Sequence, residues 1–223
     1  MNLFFDLDGT LTDPREGITR CIAYALERMG REPPPLASLE RYIGPSLFVS
    51  FRELLGTQDE GRVRAAVALY RERYTDTGLY ENRLHEGIDD VLEGFASDGG
   101  TMLVVTTKPT VFARRVIGHF GLAGYFADVV GAHLDGSRSD KAALIGHALS
   151  AHGLDAGASV MIGDRRDDVI GARRTGVSSV GVLWGFGSRR ELVQAGADVL
   201  CESPGRLPGC VARAMPQHKE DRQ

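Results

Sequence analysis

Asn2-Leu3-Phe4-Phe5-Asp6-Leu7-Asp8-Gly9-Thr10, following the initial Met1, is a short apolar run that breaks into an acidic, glycine-containing turn. An apolar run of this length ended by such a turn predicts a buried strand that delivers two carboxylates to its C-terminal end. Buried carboxylates cost several kcal/mol unless something cationic meets them. Two readings follow. In one, the strand simply ends in an acidic turn; in the other, one carboxylate is a nucleophile and its neighbour a proton carrier, both beside a divalent cation.

Outward from this stretch the pattern divides in two. From Pro14 to Asn82 the apolar spacing is helical throughout: Ile18, Ile22, Ala25, Leu26 and Met29 form one stripe, Ser38 to Tyr42 and Leu47 to Leu55 read as helices, and Val63, Ala66, Val67, Tyr70 and Tyr74 form another stripe. No strand is expected there, so this block reads as an all-helical insertion. From Gly87 onward helix and strand alternate. The strands are Met102 to Val105, Asp128 to Val130, Val160 to Ile162, Ser179 to Leu183 and Val199 to Leu200, with helices at Ile88 to Phe95, Val111 to Phe120, Ser139 to His152, Asp168 to Arg174 and Arg189 to Ala195. Such alternation predicts right-handed crossovers and a doubly wound parallel sheet covered on both faces. Residues 1–13 and 83–215 are then the α/β core, 14–82 the helical insertion and 216–223 a polar, frayed tail.

Composition limits the functions available. With 223 residues and 43% hydrophobic content the chain can bury one good core and carry a small accessory domain. No stretch reaches the roughly 18 to 20 apolar residues a bilayer requires, and Asp6 and Asp8 are incompatible with a secretory signal, so a cytoplasmic location is expected. Cys21, Cys201 and Cys210 are odd in number and lack metal-type spacing. A net charge of −4 argues against a nucleic-acid partner. Lys occurs only at Lys108, Lys141 and Lys219, Arg supplying every other basic residue. The two internal lysines therefore stand out, because Lys offers phosphate a compact point charge that Arg does not reproduce.

In an open parallel sheet, ligands bind beyond the carboxyl ends of the strands. The polar residues at those ends are Asp6 and Asp8, Thr106 and Thr107, and Asp164. Asp6 is ionised at neutral pH on its reference pKa of about 3.9. Thr106 either serves such a site or ends its strand and caps the next helix. Lys108 flanks the site. In Val160-Met161-Ile162-Gly163-Asp164-Arg165-Arg166-Asp167-Asp168, an apolar strand ends in Gly-Asp with a further acid four residues on. Alone it could be an acidic helix start favoured by the macrodipole; alongside Asp6 and Asp8 that bland reading loses ground.

Asp6-Leu7-Asp8-Gly9-Thr10 after an N-terminal hydrophobic strand resembles the signature of the haloacid dehalogenase-like phosphatase superfamily, and Thr106, Lys141 and Gly163-Asp164 match its later motifs. The resemblance spans roughly Asn2 to Met215 and implies a Rossmann-like core whose first strand is central, with a helical cap. It implies Asp6 as nucleophile forming an aspartyl-phosphate and Asp8 as general acid/base. Thr106 would hydrogen-bond the transferring phosphoryl group, and Lys141 would neutralise it. Lys141 is followed by Ala142 where relatives commonly carry Pro, which keeps Arg138 as a fallback cation. Asp164 would bind Mg²⁺ directly, Asp168 through water or by holding Lys141, and Asp8 through its backbone carbonyl; Mg²⁺ suits such an oxygen-rich set. Gly9 would let the backbone turn around the site, and Thr107 would be a substrate contact. Ile43-Gly44-Pro45-Ser46-Leu47 and Trp184-Gly185-Phe186-Gly187-Ser188 look like phosphoglycolate phosphatase-type members, although a Gly-rich turn accounts for each alone.

The expected activity is Mg²⁺-dependent hydrolysis of a small phosphomonoester: phosphoglycolate, a nucleotide or a sugar phosphate. A sugar phosphomutase is the alternative within the superfamily, Thr10 leaning towards a phosphatase. A dehalogenase, which lacks Asp8, is disfavoured. From a different class, the chain could be a non-catalytic binding or regulatory protein on this fold. The sequence leaves open the oligomeric state and which cap residues set specificity.

Overall fold

A computed structural model describes residues 1–215; the tail at 216–223 lies outside the described residues. The first strand, β1 (Asn2–Phe5), is followed by the two-residue β2 (Thr12–Asp13) and helices α1 (Arg15–Arg28), α2 (Leu36–Leu39), α3 (Leu47–Leu55) and α4 (Glu60–Arg73). A short strand, β3 (Arg83–Leu84), pairs antiparallel with β2, so the chain leaves and re-enters the core through a small ribbon. Thereafter α5 (Ile88–Ser97), β4 (Thr101–Pro109), α6 (Thr110–His119), β5 (Asp128–Ala132), α7 (Lys141–His152), β6 (Ser159–Gly163), α8 (Arg166–Thr175), β7 (Ser178–Val182), α9 (Arg189–Ala195), β8 (Val199–Cys201) and α10 (Leu207–Ala214) alternate.

Six strands form one parallel sheet in the order β5-β4-β1-β6-β7-β8. The central place expected for the first strand is the one observed, with Phe5 opposite Val104 on one side and Ile162 on the other. Strand side chains alternate between faces, so Leu3 and Phe5 enter the layer built with α5, α6 and α10. Phe4 joins Leu103, Val105, Met161, Leu144 and Ile145 beneath α7 and α8. Strand order switches side at β1, the place where open parallel sheets bind ligands.

The block between β2 and β3 is helical as expected. Ile18, Ile22, Ala25 and Leu26 of α1 are buried with Val63, Ala66, Val67 and Tyr70 of α4, and α3 adds Phe51 and Leu55. After Arg73 the last turn widens to a π-turn over Tyr74–Gly78, a feature frequent at functional sites. Three differences from the expected elements are informative. The helix expected from Ser139 begins at Lys141, because Asp140 caps it by accepting from the Ala143 N–H. The ribbon β2/β3 is too short to leave a periodic signal. Helix α10 lies beyond the last expected strand, its buried Leu207, Cys210, Val211 and Ala214 showing the i, i+3, i+4, i+7 spacing of an amphipathic helix. No helix among the described residues is long and apolar enough to cross a membrane.

Candidate active site

Asp6 is the first residue past β1, and its N–H donates to the Ile162 carbonyl at 2.9 Å, which fixes it between β4 and β6. The chain then turns at Gly9, whose φ is +92°. Only glycine fits: a Cβ there would lie 2.4 Å from Asp164 Oδ2. Asp164 follows β6, and Asp168 lies in the first turn of α8, where its carboxylate accepts from the Arg165 N–H at 3.0 Å. Carboxylate oxygens of Asp6, Asp164 and Asp168 all lie within 4.8 Å of one another, and all three residues are buried. Asp167, the neighbour that could be confused with Asp168, is exposed.

Lys141, the first residue of α7, projects into this cluster. Its Nζ is 2.8 Å from Asp6 Oδ1 and 2.7 Å from Asp168 Oδ1, and it also donates to the Val105 carbonyl at 3.0 Å. Burial alone would lower its pKa, but Asp168 and Asp6 hold it well above the ordinary lysine value. Arg138, the fallback cation, is exposed. Asp164 has no cation partner among the described residues. Burial, reinforced by repulsion from Asp6 and Asp168, pushes its carboxyl up to about 8; Asp168 is raised to about 6, burial outweighing the pull of Lys141. Once Asp164 gives up its proton, three ionised carboxylates against one ammonium leave −2, which a divalent cation would neutralise. The donor set is all carboxylate oxygen, the set Mg²⁺ prefers, so the residues present fit that ion.

Asp164 is held by a dedicated frame. Thr10 Oγ1 donates to its Oδ1 at 3.2 Å and the Phe186 N–H to its Oδ2 at 2.8 Å, while Trp184 Nε1–H donates to the Thr10 carbonyl at 3.0 Å. The two glycines of Trp184-Gly185-Phe186-Gly187 are required by close approach: a Cβ on Gly185 would stand 2.4 Å from both Asp164 Cβ and the Gly9 carbonyl, and one on Gly187 1.8 Å from the Asp164 carbonyl.

Asp8 sits apart from the acidic cluster. Its carboxylate turns to Lys108, whose Nζ donates at 2.8 and 2.5 Å to its two oxygens. Burial raises the Asp8 pKa, and Lys108 pulls it partly back. The Asp8 carboxylate is thus engaged by Lys108 and is not one of the three that cluster. Sequence reasoning placed Lys108 only beside the site. The missing signal is a register shift between β4 and β5 from Thr106 to Pro109, the kind of irregularity that re-aims a side chain.

Thr106 is buried and accepts from the Lys108 N–H at 3.3 Å. It caps no helix, since α6 starts after Pro109 without a side-chain cap. Thr107 reaches the helical block instead, donating to the Gly44 carbonyl at 2.8 Å, and Arg165 donates to the Ile43 carbonyl. The two contacts seat Ile43-Gly44-Pro45-Ser46-Leu47 over the strand ends. Between this segment, α4 and the core a cleft runs to Asp8 and Lys108.

The family model described as haloacid dehalogenase-like hydrolase matches residues 3–182. The chain belongs to that family. It is a phosphatase-type hydrolase by its relatives: it is 51% identical over 191 residues to a 5'-nucleotidase of Pseudomonas aeruginosa, covering 86% of each chain. It is 28% identical to a phosphoglycolate phosphatase of Neisseria gonorrhoeae, over 98% of this chain and 95% of that one. Among solved structures, a "predicted phosphatase" from Clostridium acetobutylicum superposes with a TM-score of 0.91 at 39% identity, covering 95% of this chain and 97% of the other.

Proposed function

We propose that the chain hydrolyses a small phosphomonoester through an aspartyl-phosphate on Asp6. The observation that carries this reading is the pairing of each N-terminal carboxylate with its own buried lysine, Asp6 with Lys141 and Asp8 with Lys108, just past the end of one strand. An Asp6 oxygen attacks phosphorus as the bond to the leaving oxygen breaks, and Asp8 passes its proton to that oxygen. Asp8 then takes a proton from water, whose oxygen attacks phosphorus and frees Asp6 and inorganic phosphate. Burial that raises Asp8 helps it hold the proton, and Lys108 stabilises it once the proton is gone. Lys141 neutralises charge on the transferring group, and Thr106 donates to one of its oxygens. Mg²⁺ held by Asp6, Asp164, the Asp8 carbonyl and, through water, Asp168 would supply the remaining positive charge for the phosphoryl oxygens. Gly9 shapes the turn over Asp164, and the helical block acts as a cap, Thr107 and Arg165 tying it to the core.

The relatives' names bring two substrate classes to this chain, nucleoside 5'-monophosphates and phosphoglycolate. Phosphate release from a panel of phosphomonoesters, with and without Mg²⁺, tests the reading. Metal-dependent release that vanishes in Asp6→Asn supports it; release that persists in that variant overturns it.

A further inference from the structure

Ten arginines lie between residues 14 and 82, and sequence alone does not say which of them meets a substrate. Most are engaged elsewhere: Arg15, Arg20, Arg28, Arg41, Arg52 and Arg73 each pair with a carboxylate on the surface or between helices. Arg71 is different. It alone of the ten lines the cleft that reaches Asp8 and Lys108, and it has no carboxylate partner among the described residues. Its Nη2 donates to the Leu134 carbonyl of the core, while its Nε–H is buried without a partner.

One turn further on, Tyr74 also lines the cleft and is 2% exposed; its hydroxyl is buried with no partner among the described residues. Lys108 Nζ stands 5.1 Å from the centre of its ring, so Tyr74 adjoins the proton-transfer pair. Two buried donors without a protein acceptor in one cleft are costly, since each buried unpaired polar group forfeits about 1–3 kcal/mol. A bound acceptor removes that cost. Tyr42, Phe48, Tyr70 and Phe112 add aromatic rings to a wall that also includes Ile18 and Leu47, with Tyr70 stacked on Tyr74 at 5.3 Å and Phe112 edge-on to Tyr74 at 5.4 Å. A two-carbon carboxylate would leave such a wall uncovered, whereas a flat heterocycle would cover it and offer ring acceptors to both donors.

Resting on the phosphatase reading above, we propose that Arg71 and Tyr74 are the specificity-determining residues of this site and select phosphomonoesters whose leaving group is a ring-bearing alcohol with hydrogen-bond acceptors, the nucleoside monophosphate class. Phosphoglycolate is the comparator, having an acceptor but no ring. Calorimetric binding of nucleoside 5'-monophosphates and of phosphoglycolate to the full chain, without Mg²⁺, reads the subsite independently of turnover. Nucleoside monophosphates are expected to bind at least about 10-fold more tightly. Tyr74→Phe should weaken them by about 5-fold and Arg71→Gln by about 10- to 100-fold, phosphoglycolate changing less than 2-fold with Tyr74→Phe.

Tyr74→Phe removes only an unpartnered hydroxyl, so it is expected to melt at or above the wild-type temperature, which separates lost recognition from lost folding. Preferential binding of phosphoglycolate, or unchanged nucleotide binding in both variants, overturns the proposal. The same panel assayed for phosphate release with Mg²⁺ keeps the two claims apart. Selective binding without release contradicts hydrolysis and supports the subsite; release with a phosphoglycolate preference contradicts the subsite and supports hydrolysis.

Discussion

Replacing Lys141 by Met keeps most of the aliphatic stem and removes the charge. Lys141 is 95% buried, and its Nζ lies 2.8 Å from Asp6 and 2.7 Å from Asp168. Without it the three carboxylates have no cation, and breaking a buried pair in this way costs about 3–5 kcal/mol. For a chain of this size, roughly 2–4 °C of melting temperature accompanies each kcal/mol, so the metal-free variant should melt roughly 6–20 °C below wild type at pH 8. The cost depends on pH with a definite sign. Deprived of the lysine, the folded Asp164 and Asp168, already raised by burial, bind protons more readily than their unfolded counterparts, so the folded state takes up protons and the destabilisation shrinks as pH falls towards 5. Mg²⁺ should restore part of the loss, because it brings positive charge to the same oxygens. Thermal unfolding of both proteins at pH 5 and pH 8, with chelator and with Mg²⁺, is the assay. A variant as stable as wild type at pH 8 in chelator would refute the view that Lys141 compensates buried charge.

Lys108→Met should leave binding of phosphate esters within a few-fold of wild type but lower kcat by about 10- to 1,000-fold, since Asp8 loses the cation on both its oxygens; steady-state kinetics that show only a KM effect would contradict this. Gly187→Ala forces a Cβ to within 1.8 Å of the Asp164 carbonyl, and calorimetry should find Mg²⁺ affinity reduced by at least about 10-fold through displacement of that loop. Metal binding should also weaken with acidity. The folded chain holds a proton on Asp164 up to about pH 8 that the unfolded chain releases near pH 4, so this group's contribution to stability falls as pH rises between those values. Mg²⁺ must displace that proton, so its apparent affinity should drop by up to about 100-fold from pH 8 to pH 6, and a flat profile would show that Asp164 is ionised without metal.

The legible parts of the molecule were those where chemistry sits next to a regular element. The strand before Asp6 and the strand before Asp164 are apolar runs with one interpretation at their ends, and the sheet brings both acids, with Asp168 and Lys141, into one cluster. Residues whose direction depends on an irregularity were not legible. Lys108 follows a shifted register in β4 and turns to Asp8; Thr107, one residue earlier, turns to Gly44. Tyr74 falls on a helical stripe that reads as core and Arg71 is one of ten arginines in the helical block; only the packing of α4 against the core loop at Leu134 makes them walls of a cleft. Helix α10 had a readable stripe, but it lies past the last strand, where the alternation that organised the rest gives no cue.

The central claim is that Asp6 carries the phosphoryl group. Rapid quenching of the chain during turnover of a labelled phosphomonoester with Mg²⁺, followed by peptide mapping, tests it most directly. The account predicts acid-stable, hydroxylamine-labile label on the peptide containing Asp6 and none in Asp6→Asn. Steady phosphate release with label on no peptide, or on one lacking Asp6, would contradict it.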